Sequence, residues 1–205
     1  LATTLPPMSD CVKGRVTYYD FWSEGGSCNF GPVRDLHLPP WMYTTAINEA
    51  FFGLGDKCGV CYEVNGPVGA VILLVDNACP ALTNGSVCSG DMLHFDLSEP
   101  AFPLLTDTHF GNSSVSFRMV ACGFDRSMVM KIAAGSSVWC LGFNVLFANV
   151  LVKTISVRSA GGEWEALVYE FGQWRTCSHR LEFPLEVQFV SIAGEIVTTT
   201  LDAVH

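Results

Sequence analysis

The nine cysteines of this 205-residue chain are its most conspicuous reactive side chains, since thiols either bind metal ions or pair as disulfides. Cys58 and Cys61 have the spacing of half a zinc site, but no second Cys-x-x-Cys or His-x-x-x-His segment follows them. Structural disulfides in an oxidising compartment are therefore the favoured interpretation, with one cysteine left over. We expect no metal site and no cofactor.

Two N-glycosylation sequons agree with export from the cell, one at Asn84 and one at Asn112. The first residues, Leu1-Ala2-Thr3-Thr4, do not form a signal peptide, so the chain is expected to be a mature secreted product.

The composition excludes several classes of protein. Hydrophobic residues make up 49% of the chain and charged residues 15%, which is incompatible with disorder. The longest apolar runs are interrupted well before the ~20 residues that a membrane span needs. The net charge of −9 disfavours nucleic acid as a partner and leaves neutral ligands by elimination.

The predicted secondary structure, which would position a site, changes in character at a short connector, residues 123–127. Upstream, the apolar run from Ala70 to Val75 predicts a strand buried on both faces, and Val115, Phe117 and Met119 alternate with polar residues as in a half-buried strand. A helix is expected over residues 45–52, and a second, short one after Ser98. Together these elements suggest a small barrel.

Downstream of the connector the pattern is all β. Strand-like alternation recurs around residues 154–158 and 185–189, with glycine turns at 161–162 and 193–195. Strands at such short intervals favour a β-sandwich. We therefore predict two domains, covering residues 1–124 and 125–205.

Several segments, taken in order, resemble the expansin family. They are Gly14-Arg15-Val16-Thr17-Tyr18-Tyr19-Asp20, Gly26-Ser27-Cys28, Cys58-Gly59-Val60-Cys61-Tyr62-Glu63-Val64, Val75-Asp76-Asn77-Ala78-Cys79-Pro80 and His94-Phe95-Asp96-Leu97-Ser98. In the second half, Phe143 to Val150 and Trp164 to Trp174 are similar to the carbohydrate-binding module of that family.

The resemblance implies a mainly β fold: a six-stranded double-psi β-barrel with short helices, followed by an immunoglobulin-like β-sandwich. It also implies that Cys28 pairs with Cys58 and Cys61 with Cys122. Cys79 and Cys88 would close a local loop. Cys140 and Cys177 are the only cysteines of the second domain and should pair with each other, which leaves Cys11.

The family pattern places a cleft at Asp96, with Asp76, Thr17 and Tyr19 around it and Thr17 as a hydrogen-bond partner of Asp96. Related family-45 endoglucanases use the equivalent of Asp96 as general acid, with a base four residues after the matched threonine. Here Asp20 lies three residues after Thr17, so on an extended strand its side chain should point away from the cleft. His94 is expected to face away from Asp96 and to be structural.

Aromatic side chains that stack on sugar rings should bind the polysaccharide. The candidates are Trp139, Trp174, Phe171 and Trp22. The residue after Trp139 is Cys140, where microbial expansins carry a second tryptophan, so part of that platform is missing.

The favoured function is that of a secreted, monomeric expansin-like protein, acting at the cell wall on cellulose, xyloglucan or a related β-glucan without hydrolysis. One alternative is an inverting endoglucanase with Asp96 as acid and Asp20 as base. Another is a barwin-like or purely carbohydrate-binding defence protein.

Overall fold

Six strands in the first part of the chain close into a barrel. The computed structural model describes residues 7–19, 25–82, 85–170 and 172–204. The barrel strands are β1 (Val12–Tyr19), β2 (Met42–Asn48), β3 (Cys61–Asn65), β4 (Ala70–Cys79), β5 (His94–Ser98) and β6 (Ser113–Val120). Two short helices accompany them, α1 (Glu49–Phe52) and α2 (Phe102–Leu105), together with 3₁₀ turns at Val33–Leu36, Gly85–Cys88, Glu99–Ala101 and Thr108–Phe110.

The order of the strands around the barrel is β1-β5-β2-β4-β3-β6. The pairs β1–β5 and β2–β4 are parallel, and the remaining pairs are antiparallel. Inside, the rings of Tyr62, Phe95 and Phe117 meet edge to face with centroids 5.1–5.7 Å apart. The predicted buried strand from Ala70 is present, and it extends to Cys79.

The prediction of a helix over residues 45–52 is mostly wrong. Residues 42–48 form strand β2, which lies between β4 and β5, and only the four residues of α1 are helical. Residues 44–48 are all buried, so their backbone groups find partners in the two neighbouring strands. Tertiary pairing has therefore overridden a helix-like apolar spacing.

The second part of the chain forms two four-stranded sheets. Its strands are β7 (Val129–Ile132), β8 (Leu141–Leu146), β9 (Val152–Ser159), β10 (Glu165–Ala166), β11 (Val168–Glu170), β12 (Gln173–Thr176), β13 (Leu185–Ser191) and β14 (Ile196–Leu201). One sheet has the order β10-β9-β13-β14 and the other β11-β12-β8-β7. A separate core that includes Phe143, Ile155, Val187 and Phe189 lies among these strands. The barrel followed by paired sheets confirms the predicted fold class. The exact domain boundary at residues 124 and 125 stays a prediction.

The four disulfides that the sequence suggested are all present: Cys28–Cys58, Cys61–Cys122, Cys79–Cys88 and Cys140–Cys177. Cys11 is exposed and unpaired. Cys58 and Cys61 therefore belong to two different disulfides, and the half-site spacing has no bearing on zinc. In the described part of the chain, no helix has the length and apolar character needed to cross a membrane.

The barrel and the sheets meet at the loop of residues 25–30. The amide of Asn144, on β8, is buried and donates to the carbonyl oxygens of Cys28 and Gly172. Lys131 Nζ donates to the carbonyl oxygen of Phe30 at 3.0 Å. Gly172 has φ of 76°, and a Cβ there would lie 2.5 Å from the carbonyl oxygen of Ser27. This turn therefore accepts no side chain while the loop keeps its place.

We predict that Gly172→Ala destabilises the protein more than Gly161→Ala does. Both glycines have positive φ, but a Cβ on Gly161 would meet nothing within 4 Å. The left-handed backbone should cost either variant about 1–2 kcal/mol. The clash should add about 1–3 kcal/mol at Gly172 alone, measured by denaturant unfolding. Equal losses in the two variants would show that the turn and the loop are not in firm contact.

Candidate functional site

The candidate site begins with Thr17 and Asp96, which the parallel pairing of β1 and β5 brings opposite each other. Thr17 Oγ1 donates to Asp96 Oδ1 at 2.6 Å, so the hydrogen bond that the resemblance implied is present. The two residues are 79 positions apart in the chain, and strand pairing in the barrel wall is what holds them together.

His94 lies on the same side of β5 as Asp96, which corrects the expectation that it would face away. The two residues are separated only by Phe95, and side chains two positions apart on a strand share a face. His94 Nε2 is 2.9 Å from Thr17 Oγ1, and Arg15 Nε donates to His94 Nδ1 at 3.2 Å. The spacing of two was the sequence signal that could have found this contact.

A groove of about 400 Å³ opens beside Asp96. Its lining also includes Tyr19, Ser27 and Asn77, together with the segment from Ala78 to Pro80. Ser27 donates to Asn77 Oδ1 through both its backbone N–H and its hydroxyl. Ser27 and Asn77 were not predicted as site residues, because their contact depends on how the loop at residues 25–30 packs against the end of β4.

Tyr19 stands beside the carboxylates of the site. Its hydroxyl is buried and has no hydrogen-bond partner among the described residues. Burial, and then the negative charges of Asp76 and Asp96, raise the pKa of Tyr19 well above its ordinary value. The phenol therefore stays protonated near neutral pH.

Asp76 is placed differently from the expectation that it would line the cleft. Asp76 is only 2% exposed and is not among the residues that line the groove. Because strand β4 continues to Cys79, Asp76 lies within the barrel wall instead of at an open strand end. The Asp76 carboxylate is therefore shielded from solvent, and its charge acts on Tyr19.

The ionisation of the site is set mainly by burial. Burial raises the pKa of Asp96, and the hydrogen bond from Thr17 offsets part of that rise. His94 has no exposed surface, and burial together with the nearby Arg15 charge lowers its pKa to about 4. The imidazole is thus neutral near pH 7, while Asp96 holds a proton to a higher pH than an exposed carboxyl group would.

The aromatic residues predicted to bind sugar fall into different environments. Trp139 is 62% exposed in a turn where Ser137 and Cys140 exchange backbone hydrogen bonds. Trp174 is half-buried, packs against the core of the sheets and meets the Tyr169 ring at 5.1 Å between centroids. It also borders a cavity of about 350 Å³ between the barrel and the sheets. The two tryptophans therefore differ in their access to a polysaccharide.

Several predicted residues lie outside the described residues, namely Asp20, Trp22, Asn84 and Phe171. Asn112 of the other sequon is exposed just before β6.

A three-residue group among the described side chains has the composition of a metal site. The ligand atoms of Cys79, Cys88 and His94 lie within 4.8 Å of one another. The two sulfurs form a disulfide, however, and a disulfide lacks the thiolates that a metal requires.

Residues 1–117 match the family profile of the expansin N-terminal domain. This chain belongs to the expansin family. Among its relatives, Expansin-like protein 7 of Dictyostelium discoideum is 25% identical over 202 residues, covering 96% of this chain and 36% of that protein. Expansin-A24 of Arabidopsis thaliana is 29% identical over 180 residues, covering 80% of this chain and 56% of that protein. The chain thus spans between about a third and somewhat more than half of these curated relatives.

The fold of this chain is also similar to that of a solved structure. A crystal structure of a mutant Clavibacter michiganensis expansin in complex with cellohexaose matches with a TM-score of 0.78 and 26% identity. The match covers 93% of this chain and 90% of the bacterial one, so it includes both the barrel and the sheets.

We predict that acid destabilises this expansin through His94. The unfolded chain binds a proton at His94 near the ordinary pKa of 6.5, whereas the folded protein does so only near pH 4. Between these values the unfolded state binds more protons, so stability should fall as the pH is lowered, by up to about 3 kcal/mol. The measurement is denaturant unfolding at pH 7, 5.5 and 4.

The control is His94→Gln, which keeps a polar side chain but cannot titrate. Asp96, with its raised pKa, acts in the opposite direction, and it does so in both proteins. Identical pH dependence of the two proteins would contradict the prediction.

Proposed function

We propose that this expansin is secreted, binds a wall β-glucan and loosens contacts between glucan chains without cleaving a bond. The barrel groove around Asp96 grips a chain by hydrogen bonds, and the sheet domain holds the protein on the polysaccharide by stacking. The cellohexaose complex of the Clavibacter relative supports a cellulose-like chain as the ligand. The net charge of −9 is compatible with such a neutral partner and unfavourable for acidic polymers.

The single observation that carries the proposal is that Asp96 lines the groove while it accepts a hydrogen bond from Thr17. Among the described residues, Asp96 is the carboxylate in the groove lining and Asp76 is 2% exposed, while Asp20, the base of the hydrolytic alternative, lies outside the described residues. An inverting glycosidase needs two carboxyl groups roughly 6.5–9.5 Å apart, with a water molecule between substrate and base. A lone carboxyl group can still bind a sugar hydroxyl strongly, because hydrogen bonds to charged groups are the stronger ones.

Trp139 supports the stacking part of the proposal. An exposed indole presents a flat apolar face to the C–H face of a pyranose ring. The turn that carries it is fixed by the Cys140–Cys177 disulfide and by a hydrogen bond that the Trp139 N–H donates to Ser137 Oγ, so little conformational entropy is lost on binding.

We predict that Asp96→Asn abolishes extension of isolated walls under load and leaves binding to insoluble cellulose through the sheet domain nearly unchanged. Asparagine keeps the size of the side chain and removes its charge. Wild-type protein should release no reducing sugar above background from amorphous cellulose. Asp202→Asn, at an exposed position at the end of β14, is the matched control and should extend walls as the wild type does.

Reducing sugar of inverted anomeric configuration, lost with either Asp96 or Asp20, would instead establish the endoglucanase alternative. Binding without any wall extension by the wild type would favour the defence or binding-protein alternative.

We predict that Trp139→Ala weakens binding to insoluble cellulose by about 5- to 10-fold, since one stacking contact contributes on the order of 1 kcal/mol. Its stability should not change, because the side chain is exposed. The control is Phe110→Ala on the barrel, which removes another exposed ring, 72% accessible, and should leave binding unaltered. Trp174→Ala, in contrast, should lower the stability of the protein, because this side chain packs against the core of the sheets. Equal binding by wild type and Trp139→Ala would remove Trp139 from the binding surface.

A further inference from the structure

Four side chains along β1 and β5 form one continuous hydrogen-bonded row. In the register of the two strands Arg15 lies opposite His94, and Thr17 opposite Asp96. The contacts run from Arg15 Nε to His94 Nδ1, from His94 Nε2 to Thr17 Oγ1, and from Thr17 Oγ1 to Asp96 Oδ1, at 3.2, 2.9 and 2.6 Å. We call these four residues the β1–β5 row.

The hydrogen bonds of the row can be donated in only one direction, from Arg15 toward Asp96. A guanidinium group has hydrogen-bond donors and no acceptor, so Arg15 requires an unprotonated Nδ1 on His94. A neutral imidazole then carries its proton on Nε2, and this N–H must donate to Thr17 Oγ1. Thr17 has one hydroxyl proton, which is left for Asp96 Oδ1.

The surroundings of His94 keep it neutral and in place. Its backbone N–H donates to Asn48 Oδ1 from β2, and the Cys79–Cys88 disulfide lies on another side without a proton to exchange. The charged groups of the described chain that face it are Arg15 directly and Asp96 across Thr17. Arg15 is itself fixed by a bond from its guanidinium to the carbonyl oxygen of Val87.

We propose that Arg15 and His94 are positioning residues that act through Thr17 to make Asp96 Oδ1 a permanent hydrogen-bond acceptor. Any proton on Asp96 must then reside on Oδ2, because a proton on Oδ1 would point at the hydroxyl proton of Thr17. Oδ2 is the oxygen near the Cys79 sulfur, at 3.6 Å, and that sulfur belongs to a disulfide and has no proton to donate. Oδ2 is therefore the atom that offers or accepts a hydrogen bond at the groove.

This inference builds on the proposed function, in which Asp96 binds the sugar, but it concerns the ionisation of Asp96 and can be tested without polysaccharide. The test compares His94→Gln with His94→Met in the full chain. A glutamine amide can accept from Arg15 with its oxygen and donate to Thr17 with its nitrogen, as the imidazole does. Methionine has a similar length and no N–H, and neither replacement alters the charge above pH 5.

The measurement is the pKa of Asp96, followed by the ¹³C shift of its carboxyl carbon during a pH titration. His94→Met should raise that pKa by about one unit, since the Thr17 hydroxyl is then free to turn away from Oδ1. His94→Gln should stay within about 0.3 units of the wild type, because it restores the donor to Thr17. Equal pKa values in the wild type and a folded His94→Met variant would overturn the proposal.

A second measurement uses the wild type alone and remains decisive even when a variant does not fold. The ¹⁵N shifts of the His94 ring at pH 7 should show a proton on Nε2 and none on Nδ1. A proton on Nδ1, or a mixture of the two tautomers, would overturn the proposal. Failure of the wild type to extend walls would refute the proposed function and leave both of these results intact.

Discussion

The parallel pairing of β1 with β5 is the constraint on which the rest of the site depends. It sets Arg15 beside His94 and Thr17 beside Asp96 in one register. A slip of one residue would turn one of the two sets of side chains to the opposite face of the barrel wall. The register is held from within the barrel, because Val16 and Phe95 are opposite each other and have no exposed surface. The same strand pair thus packs the core with one face and aligns the site residues with the other.

A second consequence of the barrel is that polar groups of the site are buried without being isolated. Asp96 and His94 are shielded from solvent, which raises the pKa of Asp96 and lowers the pKa of His94, so both neutral forms are favoured. Each side chain keeps hydrogen-bond partners inside the wall, so the cost of burial is limited. The outcome is a carboxyl group whose orientation is fixed before any ligand arrives, and pre-organisation of this kind strengthens binding.

The sheet domain contributes to the shape of the groove. Asn144 holds the loop of residues 25–30 through the carbonyl oxygen of Cys28, and the same loop places Ser27 against Asn77 in the groove lining. The Cys28–Cys58 disulfide ties this loop to the barrel from the other side. A change at the contact between barrel and sheets can therefore reach the groove without altering any residue that lines it.

The order of motifs along the chain was enough to predict the family and the fold class, and the resemblance to that family, with the two cysteines of the second domain, predicted the four disulfides. The alternation of residues also contained the shared face of His94 and Asp96, because a spacing of two fixes it on any strand. Burial was decided only by the tertiary structure. Residues 44–48 became a strand because β4 and β5 flank them, Asp76 was enclosed because β4 runs on to Cys79, and Trp174 was half-buried where the barrel meets the sheets. Each of these outcomes depends on neighbours that are distant in the chain, and no local pattern of residues specifies which neighbours those will be.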